Sequence, residues 1–283
     1  MFKNILRFCL IIGTLPSWQD LYSIATKYFR LVDPEAPVFW FDKMPDDVLL
    51  NSGYKTNLPF IEGHVINIKT KTYFDLVFKL VKSMVDNYSG GGVLSSERFR
   101  DEIKLVNTEE QLIKVVRANN MHDQGFVIST QVPSLMDADG ARHDGVMILL
   151  SGNEGGKVDF VINHMTTKER AAAYSEEIRL LLNQLYQQVR KKGLVQVEFD
   201  AALSTILSMA YYMYNLMPLT RGSGVVTYSV LVGVIMALGR EVTGKIPPGK
   251  LLEMEALLSG APDAFVVVTQ QWLNVNKLVI AVV

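Results

Sequence analysis

Between residues 17 and 31 the apolar side chains fall on one helical face. They are Trp18, Leu21, Tyr22, Ala25, Tyr28 and Phe29, behind a serine at 17 suited to capping. Asp33-Pro34 and Ala36-Pro37 stop this helix, because a residue before proline is pushed out of the α region. Helical spacing returns over 73–88 in Tyr73, Val77, Leu80, Val81, Met84 and Tyr88, ahead of a Gly90-Gly91-Gly92 loop. Shorter helices are expected near 95–105 and 108–118, the second opened by Asn107 and Glu110 as a capping pair.

The period then changes. Phe126–Gln131, Val146–Leu150 and Val158–Asn163 are β-favouring runs separated by turn-forming stretches at Asp137–Gly140 and Gly152–Gly156, which predicts a three-stranded antiparallel meander. From 169 a long helix is expected up to Gly193, with Tyr174, Ile178, Leu181, Leu182, Leu185 and Val189 as its buried stripe. Glu176, Glu177, Gln184, Arg190 and Lys191 form the wet face. The stretch 201–239 differs from all others. Two helices, AALSTILSMAYYMYNLM and VVTYSVLVGVIMALG, are apolar all round and belong at the centre of the fold. The expected class is α+β, mostly helical, with a small meander and a central buried helix–loop–helix. It reads as one domain over 1–283: a helical part to 119, strands over 120–165 and a helical core over 166–283.

The chain of 283 residues carries 28 Lys and Arg against 29 Asp and Glu, a net charge of −1. Near-neutrality argues against nucleic acid as a partner. The single cysteine, Cys9, excludes an internal disulfide and fits a reducing, cytoplasmic setting, with secretion of an effector into a host cell as the alternative. Residues 1–15 read as a helix or strand packed on the body rather than a signal peptide, since Arg7 interrupts the apolar run. No stretch reaches the ~18–20 apolar residues that span a bilayer. The four histidines, His64, His122, His143 and His164, have no i, i+3 or i, i+4 pair, so no helical metal face is expected.

The candidate chemistry lies between the two apolar helices, in Pro218-Leu219-Thr220-Arg221-Gly222-Ser223-Gly224. Glycines free the backbone to turn N–H groups toward one point. The next helix starts there with its dipole, and Arg221 adds a fork-shaped cation. Arg221, Gly222, Ser223 and Gly224 are therefore candidate phosphate-binding residues. The alternative is a tight helix–helix turn in which Arg221 pairs with a protein carboxylate. Tyr214 and Thr220 are candidate ligand-lining residues. Arg142 and His143 join them if the meander forms a lip over the loop, with His143 as acid or base. Tyr211, Tyr212 and Tyr214 otherwise belong to the core, and Arg142-His143-Asp144 to a solvated turn.

Trp18-Gln19-Asp20-Leu21-Tyr22, the segment Asp33–Trp40 and above all the word YYMYNLMPLTRGS at 211–223 resemble the region after the repeats in the tetratricopeptide repeat protein 13 family and its plant immune-suppressor branch. Thr243-Gly244-Lys245-Ile246-Pro247 and Ser259–Leu273 continue the likeness, which covers about 18–85 and 120–273. The repeats themselves are missing. The resemblance implies an intracellular regulatory or adaptor role with a protein partner. Met217–Val225 is also similar to the Fic motif, His-Pro-Phe-x-x-Gly-Asn-Gly-Arg, at Pro218, Gly222 and Gly224. That motif implies nucleotidyl transfer with a histidine base and an arginine on phosphate. Met217 and Val225 stand at those two places, so AMP transfer by that route is not expected. A related bacterial effector without the histidine is associated with sugar transfer. A degenerate Fic-like fold with a nucleotide or nucleotide-sugar pocket at the loop is thus one expectation; an enzyme of that kind would be a transferase using a phosphate-containing donor. A non-enzymatic interaction domain is the other. No catalytic residue and no metal ligand is assigned.

Overall fold

Ser17 opens the first helix. It accepts a hydrogen bond from Asp20 N at 3.2 Å, while Asp20 accepts from the Ser17 N–H at 2.9 Å. Such a reciprocal box satisfies two of the four donors that a helix start leaves open. The helices, in chain order, are α1 (Trp18–Val32), α2 (Glu97–Leu105), α3 (Glu109–Ala118), α4 (Lys168–Arg190), α5 (Gln196–Leu216), α6 (Ser223–Ala237), α7 (Leu252–Leu258) and α8 (Pro262–Leu273). The strands are β1 (Leu58–Pro59), β2 (Ile61–Glu62), β3 (Val65–Ile66), β4 (Gly125–Pro133), β5 (Arg142–Gly152), β6 (Val158–His164), β7 (Arg240–Val242) and β8 (Val275–Lys277). This computed structural model describes residues 15–35, 38–43, 58–59, 61–62, 65–66, 78, 81–82, 85, 96–119, 125–136, 140–152, 158–164, 167–190 and 196–277. The helix expected over 73–88 lies outside them, apart from Phe78, Val81, Lys82 and Val85, which are helical. The Gly90–Gly92 loop, His64, His122, Cys9, Lys191 and Gly193 also lie outside.

The class is α+β, as the periodicities predict. The chain divides into two compact units, one of Met1–Tyr54, Val132–His143 and Thr166–Val283, the other of Lys55–Gln131 and Asp144–Met165.

In the second unit the sheet has four strands in the order β1-β6-β5-β4, one more than the expected meander. The extra strand is Leu58–Pro59, paired antiparallel with Ile162 and Val161. A two-residue strand containing proline carries no period-2 signal, and proline is tolerated there because β1 is an edge. The β5–β6 ladder runs from Val146↔His164 to Gly152↔Val158. Gly145 lets β5 approach Thr130, whose hydroxyl accepts from Val146 N at 2.9 Å; a Cβ at 145 would collide with that oxygen. The cap of α3 sits one residue later than expected. Thr108 Oγ1, not Asn107, accepts from Gln111 N, and Gln111 reaches back to Asn107 N at 2.7 Å. A threonine hydroxyl at the turn wins because Thr108 immediately precedes the helix.

In the first unit α5 is the axis. It packs against α4, α6, α7 and α8, and α1 lies across α6. Burial of α5 is nearly complete from Ala202 to Leu216, with Tyr211, Tyr212 and Tyr214 at its centre. Three aromatic contacts fix this end: Tyr211 on Tyr212 at 5.3 Å, Tyr211 on Phe265 at 5.9 Å and Tyr214 on Phe265 at 6.1 Å between centroids. Edge-on and tilted pairs of this kind add to plain burial. The central helix α6 departs from expectation. Its composition is apolar all round, yet Val225 is 58% and Met236 40% exposed. Composition cannot say which side of an all-apolar helix lacks a neighbour.

Candidate functional site

The loop between α5 and α6 begins with a backbone departure. Pro218 disfavours helical geometry at the residue before it, and Met217 takes φ 45°, unusual for a side chain with a Cβ. Met217 is buried. The chain then runs beside residues 38–41. Phe41 N donates to Pro218 O at 2.9 Å, Thr220 N to Phe39 O at 2.9 Å, and Phe39 N to Thr220 Oγ1 at 3.0 Å. Trp40 and Leu219 form an antiparallel bridge. Thr220, a candidate ligand-lining residue, is thus committed to this pairing.

Gly222 is the N-cap of α6, at φ 80°, with the Phe29 ring where a Cβ would be. The left-handed region is open to glycine at little cost. Ser223 is buried. Its hydroxyl donates to Leu219 O at 3.1 Å and accepts from Leu219 N at 3.0 Å, which closes the turn on itself. Tyr22 donates to Ser223 O at 2.9 Å and lies 3.0 Å from Thr227 Oγ1. The Glu253 carboxylate, from α7, lies against Gly224, where a Cβ would strike it. Burial pushes the Tyr22 and Tyr214 hydroxyls far above the usual tyrosine range, and the Glu253 charge adds to both. Arg221 points outward, with Nη2 3.8 Å from Asp33 Oδ2.

The four candidate phosphate-binding residues therefore do sit together, but with internal partners. A carboxylate of the chain itself, that of Glu253, lies beside the first turn of α6, the end where the dipole favours an anion. Gly224 is an ordinary helical residue of the first turn; only Gly222 uses a left-handed φ. Tyr214 is 1% exposed, a core residue.

His143, the other candidate side chain, has its partners on α4. His143 packs tilted against Tyr174, with centroids 5.4 Å apart, and its Nε2 is 2.8 Å from Glu177 Oε1. The same oxygen accepts from Ser134 Oγ at 2.6 Å, and Glu177 Oε2 accepts from Leu135 N at 3.0 Å. Glu177 is fully buried, which corrects its expected place on the wet face of α4. Its neighbour Glu176 does face solvent, paired with Arg179. The Glu177 carboxylate thus ties Ser134, Leu135 and His143 to α4, and Tyr212 adds a bond of 2.8 Å to Pro133 O. Sequence spacing hides this, since Glu177 flanks the apolar stripe and looks like any surface glutamate. The usable signal is its spacing, with Tyr174 three positions before it and Leu181 four after, which places it at the margin of the buried face.

A cleft of about 340 Å³ opens elsewhere, between the start of α1 and α4, lined by Trp18, Leu182, Asn183 and Tyr186 among others; the loop residues do not line it. Among the described residues no group of three or more His, Cys, Asp or Glu could hold a metal ion. Nor is any helix among them long and apolar enough to cross a membrane.

Tetratricopeptide repeat protein 13 of Homo sapiens is 38% identical to this chain over 275 residues, covering 93% of the chain and 31% of the relative. The chain is related to the tetratricopeptide repeat protein 13 family. Suppressor of RPS4-RLD 1 of Arabidopsis thaliana is 29% identical over 267 residues, 91% of the chain and 25% of that relative. The chain thus spans less than a third of the length of either. No protein-family model matches it. The family likeness runs along nearly the whole chain, whereas the Fic likeness rests on the loop residues alone.

Proposed function

We propose that this chain is a non-catalytic protein-interaction domain with a regulatory role, in which the loop at 217–224 is a structural joint. The observation that carries the reading is the Glu253 carboxylate against Gly224, the place an incoming phosphate would need. Ser223 and Thr220 are likewise spent on internal bonds. Kinship with a repeat protein and with a plant protein named as a suppressor supports a regulatory task rather than turnover. Cytoplasmic placement is part of this proposal.

A second reading keeps a nucleotide or nucleotide-sugar pocket at Arg221–Gly224, with transfer from a phosphate-containing donor. It is favoured by one observation: the helix start already draws a carboxylate, so its field suits an anion. A ligand there would have to displace Glu253. Thermal melting with ATP and with UDP-glucose separates the readings. A bound ligand at a hundredfold excess over its Kd adds about 2.7 kcal/mol. No shift at millimolar concentration is expected. A saturable shift that Arg221→Ala removes overturns the proposal in favour of the pocket.

A further inference from the structure

We infer that the surface around Arg221 and Asp33 is a two-fold docking face for a second copy of this chain. The last turns of α1 end in Tyr28, Leu31 and Val32, the latter two 78% and 85% exposed. Phe39, also exposed, comes from the segment bonded to Thr220, directly before Arg221. Single exposed apolar residues are ordinary. Here they flank one ion pair, on elements that the Phe39–Thr220 and Arg221–Asp33 contacts hold side by side.

That pair is long and wet: 3.8 Å, with side chains 62% and 40% exposed. Arginine has five donors and a carboxylate two oxygens, so one loose contact leaves both with unused capacity. The face therefore offers a cation, an anion and an apolar centre within one small area. A face that carries both signs side by side is complementary in charge to a second copy of itself. A two-fold operation uses both, because each residue then meets the other's counterpart twice. Arg221 of one protomer faces Asp33 of its partner and the reverse, with Leu31, Val32 and Phe39 closing between them. This goes beyond the interaction reading above and stands or falls apart from the identity of any other partner.

The test is the molar mass of the full chain by analytical ultracentrifugation across a dilution series. The expected species has twice the 31.7 kDa of the monomer and dissociates on dilution. Arg221→Glu and Asp33→Lys should each weaken it at least about tenfold, since like charges then face each other twice. Mixing the two variants in equal amounts should restore the dimer, because each reversed residue then meets an opposite charge across the axis. Restoration also proves that both variants are folded. A wild type that stays monomeric at the highest concentration overturns the inference. So does a dimer that either reversal leaves intact, or a mixture that does not reassemble.

Discussion

Replacing Glu177 by alanine should cost about 3–5 kcal/mol, as expected when one partner of a buried charged network is removed. The carboxylate is completely buried and accepts from Ser134 Oγ, Leu135 N and His143 Nε2 at 2.6, 3.0 and 2.8 Å. Hydrogen bonds to a charged group contribute about 1.5–3 kcal/mol each. Water reaching the half-buried partners returns part of that, which brings the total below the simple sum. Glu177→Gln keeps the shape and one acceptor oxygen but turns an amide N–H₂ toward a donor, so about half the loss is expected. His143→Ala removes one donor of three and should cost about 1–2 kcal/mol. Urea unfolding gives these values from the midpoint at constant slope. Hydrogen exchange should show the 134–136 amides opening well before α5 in the alanine variant. A Glu177→Ala loss under about 1 kcal/mol would refute the view that this carboxylate holds Ser134, Leu135 and His143 on α4.

Leu231→Ala and Ile235→Ala remove side chains 1% and 0% exposed and should each cost roughly 2–5 kcal/mol, whereas Val225→Ala, on the open side of the same helix, should stay within about 0.5 kcal/mol; thermal denaturation of the three variants decides it. Gly222→Ala should lose at least about 1–2 kcal/mol, because a Cβ at φ 80° is strained and meets the Phe29 ring; an unchanged melting temperature refutes the packing of α1 on the loop. Alkaline pH should unfold the chain steeply. Tyr22 and Tyr214 hold their protons more tightly folded than unfolded, chiefly through burial, so stability is at full value below pH ~10 and falls above it. Each contributes up to about 1.4 kcal/mol per pH unit there. Of the eleven tyrosines, the buried ones should contribute tyrosinate absorbance only together with the loss of helix; complete ionisation ahead of unfolding contradicts their burial.

Local chemistry alone determined several features of this chain. Ser17 with Asp20, and the proline at 34, bound α1 through contacts only a few residues apart. The stripe from Tyr174 to Leu185 and the all-apolar run ending at Leu216 carry the periods that place α4 and α5 in the core. The α+β class and the family likeness follow from the same text. The tertiary structure decided the rest, because it depends on which distant groups meet. Glu177 looks like a surface glutamate at the margin of its stripe and is a buried clamp by virtue of Ser134, Leu135 and His143, more than thirty positions earlier. His143 carries no mark in the sequence of which distant group it meets, and Tyr174 with Glu177 claimed it. The glycine loop reads as an anion cradle until Glu253, from a helix about thirty residues on, is seen against Gly224. A helix start attracts any anion with the same field, and only the packing of α7 determines that the chain supplies its own.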